Sequence, residues 1–179
     1  MNSWKTIDLS KQYGSCRIFH FTVFTILMSF VFIYTLFSVF SSHVIMYDDQ
    51  TMGFFTLLLL LYPVHKLLHY LPMRLVCKKV KTCWSLTWRL VPTCKIYVQH
   101  PIRKNLYLMT LVLPFMIMSF LLVGCALAFP HYTHYFTILL SLHTGLCVSD
   151  FIYAKNLIGS PGRSFIEEHG EGYDILVQK

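Results

Sequence analysis

Two histidines four positions apart, His65 and His69, are the residues of this 179-residue chain best spaced to do chemistry. One helical turn separates them, so on a helix both imidazoles project from one face. That spacing lets two ring nitrogens share one zinc ion. The pair lies in an apolar stretch, Tyr62-Pro-Val-His-Lys-Leu-Leu-His-Tyr-Leu-Pro72, and Lys66 stands between the two. Asp150, in the last apolar stretch of the chain, is the candidate third ligand. At membrane depth a Lys or Asp costs roughly 2.5–3.5 kcal/mol on insertion scales, so each of these groups needs a reason to be there. His143 lies seven residues before Asp150 on the same helix face and is read as packing. Cys16, Cys77, Cys83, Cys94, Cys125 and Cys147 show no close pair of the zinc-ribbon kind and are read as reduced thiols.

Four apolar segments must position these residues. Ile18 to Phe40 contains no Asp, Glu, Lys or Arg, and 23 positions at about 1.5 Å each span a hydrocarbon core of roughly 30 Å. A signal peptide would have a shorter apolar region and a small-residue cleavage site, which Phe-Ser-Ser-His-Val does not supply. The other segments cover about 52–71, 105–129 and 135–154. Pro114 and Gly124 inside the third are tolerable because neighbouring helices can satisfy the backbone groups they free. Both His65/His69 and Asp150 fall toward the same ends of their helices, so they can meet.

Composition supports this reading. Apolar residues make up 55% and charged residues 13% of the chain, about half the usual charged share of roughly 25%. Fifteen phenylalanines cannot be hidden inside so small a globule, and disorder, collagen-like repeats and coiled coil are excluded. The net charge of +7 is distributed with direction. Fourteen of the fifteen Lys and Arg flank the spans at the N-terminus, in the 73–104 loop and in the tail, while 41–51 and 130–134 hold none and carry Asp48 and Asp49. By the positive-inside rule both termini and the long loop face the cytoplasm of a multi-pass plasma-membrane protein, with the lipid bilayer as its first partner. Nucleic acid is not expected as a partner, because no binding motif accompanies the basic loop.

The 73–104 loop is too long for a bare connection. Alternation predicts strands at about 84–90 and 94–99 separated by Val91-Pro92-Thr93, and a weaker one at 75–82. Trp84 and Trp88 serve equally as interfacial anchors. In the tail, 155–179, a Gly-Ser-Pro-Gly break precedes a turn around Glu171 and a strand at Tyr173–Val177. The expected fold is therefore an α-helical integral membrane protein: one membrane domain over 1–179, with four transmembrane helices and a small cytoplasmic β-sheet built from loop and tail.

The His-Lys-Leu-Leu-His run, the basic β-rich loop, two further spans, Ser149-Asp150 and the Glu-Gly-Tyr tail together resemble a bacterial membrane family of unassigned function described as zincin-type peptidases. The resemblance extends loosely over about 50–178. It implies a plan similar to the site-two-type intramembrane metalloproteases, with His65 and His69 as zinc ligands and Asp150 as the third. The family motif is His-Glu-x-x-His, and the glutamate position here is Lys66. In a zincin that glutamate accepts a proton from metal-bound water; an ammonium cannot, and it repels the metal.

Four readings follow. The first is a degenerate site in a non-catalytic binding or scaffolding protein, with no cofactor expected although zinc would fit, and with a membrane protein or peptide added at the cytoplasmic sheet edge. In one version of it, Lys66 and Asp150 form an ion pair in place of the metal. The second is an active zinc peptidase that tolerates Lys66 or borrows Glu167 or Glu168 as base. The third is a proton-coupled transporter or channel using His65, Lys66, His69, His143 and Asp150 as a relay. The fourth is plain interhelical hydrogen bonding by the histidines.

Overall fold

The computed structural model describes residues 2–40, 44–76, 80–87, 91–98, 101–162, 164–169 and 172–177. After strand β1 (Asn2–Ile7) and the short helix α1 (Leu9–Tyr13) come the long helices α2 (Ser15–Phe40) and α3 (Thr51–Val76). Strands β2 (Val80–Thr87), β3 (Val91–Val98) and β4 (Ile102–Arg103) lead into helix α4 (Lys104–Ala128). A 3-10 turn at Pro130–Tyr132 precedes helices α5 (Thr133–Leu146) and α6 (Val148–Ile158), and strands β5 (Ser164–His169) and β6 (Gly172–Val177) close the chain.

Helices α2, α3 and α4 are each long and apolar enough to cross a membrane. At 26 residues, α2 reaches about 39 Å at about 1.5 Å per residue. It has no buried residue, and its polar side chains satisfy themselves locally: the Thr25 and Ser29 hydroxyls donate to the carbonyls of Phe21 and Thr25 at 2.7 and 2.6 Å. Its closest packing is at its crossing with α5. A Cβ on Gly145 would run into the Ile26 side chain, so a small residue is required there.

The fourth span is not the continuous helix expected over 135–154. α5 and α6 meet at a bend of 43° at Cys147, whose backbone remains in the right-handed helical region. Hydrogen bonding carries through the bend, from Cys147 N to His143 O at 3.1 Å and from Phe151 N to Cys147 O at 2.9 Å. Asp150 thereby falls in the first turn of a new helix, where the helix dipole favours a carboxylate.

Two apolar clusters bracket the middle of the bundle. One joins Leu61, Met118, Leu122, Leu139 and Leu140 from α3, α4 and α5. The other joins Met73, Tyr107, Leu111, Ala154 and Leu157 to Ile7, Ile102, Ile166, Tyr173 and Ile175 of a four-stranded antiparallel sheet. The sheet order is β1-β6-β5-β4. It departs from expectation in two ways. Its outer strand comes from the N-terminal segment, where only Ile7 and Leu9 signal burial among polar neighbours. The loop contributes just β4, and β2 and β3 instead form a separate hairpin, paired from Val80↔Val98 to Thr87↔Val91.

The two loop strands begin three to four residues earlier than alternation suggested, and Val91-Pro92-Thr93 lies inside β3 rather than between strands. Residues 88–90, with Trp88, lie outside the described residues, as does Glu171. The tail strand matches its expected span. Burial pushes the Tyr173 hydroxyl upward in pKa, and it donates to the Tyr153 carbonyl at 3.1 Å, fastening the sheet to α6. Lys104, one of the basic loop residues, is buried: its ammonium donates to the carbonyls of Ser160 and Ile158 at 2.6 and 3.3 Å, capping α6.

Candidate metal centre

On α3 every fourth residue from 61 to 73 is buried: Leu61, His65, His69 and Met73. The ends of this stripe belong to the two apolar clusters, so the two histidines occupy the gap between them. Asp150 enters the same gap from α6 and is 8% exposed. His65 Nε2 and His69 Nε2 each lie 3.3 Å from Asp150 Oδ2 and 3.2 Å from one another.

This triangle fits zinc. A tetrahedral ion with bonds of about 2.0–2.1 Å to N and O has ligand–ligand edges of about 3.3 Å. The two imidazoles are within hydrogen-bonding distance of each other, but among the described residues none makes a hydrogen bond of good geometry to the buried Asp150 Oδ2, a condition that normally carries a penalty. Such convergence of three lone-pair-bearing atoms on one point is what a cation would satisfy.

The tautomer of His69 is set independently. Its Nδ1–H donates to the Thr110 carbonyl at 2.8 Å, which leaves Nε2 with a lone pair directed into the triangle. That carbonyl is free for a reason legible in the sequence. In an α-helix Thr110 would accept from residue 114, and residue 114 is proline, which has no N–H. The helix break noted in the third span is thus matched by a named donor on the neighbouring helix.

Lys66 does not pair with Asp150. It is half-buried, and its ammonium lies over the Tyr62 ring, 5.9 Å from the centroid. Among the described residues no Lys or Arg forms a salt bridge with Asp150; the two histidines are its charged-partner candidates. The ion-pair version of the degenerate site is therefore corrected. The reason is helix geometry: consecutive residues diverge by about 100° around an α-helix, so a side chain adjacent to His65 cannot share its face, and Lys66 reaches back to Tyr62 one turn earlier. Glu167, an alternative base, is on β5 opposite Asp174.

The structure adds two residues to the group. His143 Nε2 lies 3.4 Å from His65 Nδ1, and Cys147 Sγ lies 3.6 Å from His143 Nε2 and 4.0 Å from His65 Nδ1. All three are buried. His143 is fully buried as expected of packing, but it packs against the site. Cys147 was missed because its proximity depends on the bend, and a thiol four residues after a histidine carries no signal without knowing that α3 runs alongside. Among the described residues, His65/His69/Asp150 and His65/His143/Cys147 are the two groups whose donor atoms converge closely enough to hold a metal ion.

A buried His–His–carboxylate triangle joins α3, a helix long and apolar enough to cross a membrane, to α6, the second limb of a bent helix pair that passes the same test only as a pair, and so defines a zincin-like, helical candidate metal site. The sequence profile of the DUF3267 family, described as "Putative zincin peptidase", matches residues 58–165, more than half of the chain, and the chain belongs to that family. The matched region contains His65, Lys66, His69, Thr110, Pro114, His143, Cys147 and Asp150. No curated protein and no solved structure matches the chain.

Proposed function

We propose that this protein is a zinc-binding membrane protein of the zincin-like family that binds or scaffolds a partner without cleaving peptide bonds. The observation that carries the reading is the 3.2–3.3 Å triangle of His65 Nε2, His69 Nε2 and Asp150 Oδ2. His65, His69 and Asp150 would hold the ion. Zinc in such a site supplies Lewis acidity and makes bound water more acidic. The residues around it supply orientation: the Thr110 carbonyl fixes His69, and the helix start at α6 holds Asp150. The proton acceptor that peptide hydrolysis needs is missing from its motif position. Lys66 occupies it, half-buried and turned toward Tyr62. A charged ammonium has no lone pair to accept a proton.

The charge distribution supports a placement in which both termini, the hairpin and the sheet lie in the cytoplasm, with the triangle near that face. Among the described residues β1 and β4 are the outer strands of the sheet, and a partner segment would add there.

The test is metal analysis and peptidase assay on detergent-purified chain. One zinc per chain in wild type, lost in His65→Ala and in Asp150→Asn, with no cleavage of membrane or soluble peptide substrates by wild type, is the expected result. Zinc-free wild type prepared with zinc present defeats the metal assignment. Zinc-dependent cleavage by wild type defeats the non-catalytic assignment.

A further inference from the structure

We propose that His65, His143 and Cys147 form a second metal position, selective for a soft divalent ion, that shares His65 with the first. The three donor atoms stand 3.4, 3.6 and 4.0 Å apart. A tetrahedral ion with bonds of about 2.0–2.1 Å to nitrogen and about 2.3 Å to sulfur has N–N edges of about 3.3 Å and N–S edges of about 3.6 Å. Two of the three separations match. The third closes with a shift of about 0.4 Å in the Cys147 sulfur, within reach of a small rotation about one side-chain bond.

The position is built into the fold. His143 and Cys147 are four residues apart and carry a continuous backbone hydrogen bond into the bend. All three ligands are buried, and among the described residues His143 Nδ1 has no hydrogen-bond partner. His65 faces both groups: Nε2 belongs to the carboxylate triangle and Nδ1 to the thiol triangle.

A histidine that binds metal through one ring nitrogen ordinarily keeps its proton on the other. The two positions are therefore alternatives for one ion, and a ring-proton exchange at His65 accompanies the change between them. Ligand softness decides between them. Carboxylate and imidazole suit zinc and cobalt, whereas a thiolate draws the softer cadmium ion. Binding at the thiol position releases the Cys147 proton to solvent, so the sulfur coordinates as thiolate.

The experiment is titration of the full purified chain with Cd²⁺ and, separately, with Co²⁺, on wild type, Cys147→Ser, His143→Gln and Asp150→Asn. Cadmium–thiolate charge-transfer absorption in the ultraviolet is read as the difference between wild type and Cys147→Ser, which removes the contribution of the other cysteines. One Cys147-dependent Cd²⁺ per chain is expected, with affinity at least tenfold lower in Cys147→Ser and in His143→Gln. Asp150→Asn should retain this Cd²⁺ while losing Co²⁺. Cd²⁺ titrations that coincide in wild type and Cys147→Ser overturn the second position, as does loss of Cd²⁺ in Asp150→Asn. Helix content and elution volume of each variant confirm folding, and His143→Gln supplies an independent measure if Cys147→Ser fails to fold. Loss of Co²⁺ in Asp150→Asn supports the first position whatever cadmium does, so the two assignments fail separately.

Discussion

This chain places histidine against aspartate in two regions, and the contrast shows what distinguishes a site from a surface contact. At one end of the bundle, His134 Nε2 lies 3.1 Å from Asp48 Oδ1. That distance is shorter than either histidine–Asp150 approach, yet the Asp48 side chain is 87% exposed. Water satisfies its remaining lone pairs, and the local loop is already fastened by other means: Tyr47 N bonds to the His131 carbonyl at 3.1 Å, His131 Nδ1 donates to the Ile45 carbonyl at 2.7 Å, and the two rings stack. Between the apolar clusters, by contrast, three donor atoms point at one another where water is excluded, and a backbone carbonyl holds one ring in the metal-binding tautomer. Convergence, burial and an orienting partner make the difference, and distance does not.

The comparison breaks most sharply on metal content. Asp150→Ala removes one of three ligands and should lower zinc affinity by at least about a hundredfold, beyond the 10–100-fold typical of losing only an orienting partner. Asp48→Ala should leave zinc content unchanged. Metal analysis by mass spectrometry on the two purified variants reads both. Equal zinc in Asp150→Ala and wild type would mean that the buried triangle is no more a metal site than the exposed pair.

Lys66 sharpens the same comparison from the electrostatic side. Lys66→Glu reverses a charge on the residue next to a ligand and restores the motif's carboxylate. Zinc affinity should rise by about 30-fold, ~2 kcal/mol, the scale of a charge reversal felt through partly hydrated protein. Competition against a chromophoric chelator measures this. An unchanged affinity would show that the ammonium over Tyr62 is too well screened to matter.

Pro114 offers a subtler probe, because it acts on His69 without touching the ion. Pro114→Ala returns an N–H to position 114, which competes with His69 Nδ1–H for the Thr110 carbonyl. The substitution should stabilise α4 while loosening the His69 ring. A zinc affinity about tenfold weaker, together with an unchanged or higher melting temperature, separates orientation from stability. A fall in both would reduce Pro114 to a packing role.

Much of this was legible in the chain because helices long and apolar enough to cross a membrane must satisfy strong constraints. A charge-free run at Ile18–Phe40 admits little else, and one-turn spacing is enough to place His65 and His69 on one face. Asp150 was legible as a costly charge that needs partners. What stayed hidden depends on three-dimensional neighbours. The bend at Cys147 has no proline to announce it, so the thiol's approach to His65 could not be foreseen. The expected Lys66–Asp150 ion pair is not formed, because Lys66 lies about 100° around the helix from His65 and turns back over Tyr62. The N-terminal strand escaped because Ser3, Trp4, Lys5 and Thr6 are all exposed and only Ile7 is buried, so the strand is held by its backbone pairing with β6 rather than announced by an apolar pattern.

The smallest expected effect tests the other half of the contrast. His134→Ala removes the ring that faces Asp48, but the carboxylate it leaves behind is solvated and keeps no unsatisfied charge. Exposed ion pairs contribute about 0–1 kcal/mol, so the melting temperature in detergent should move by no more than a few degrees and zinc content by nothing. A large destabilisation would have a specific meaning. The partly buried ring also lies in tilted contact with Tyr135, 4.0 Å between centroids, whose ring stacks in turn on Phe54 of α3. His134→Phe, which keeps the aromatic contact and discards the charge, separates the two contributions: full recovery assigns the loss to stacking, and failure to recover assigns it to the Asp48 contact, which would then be worth more than its exposure allows.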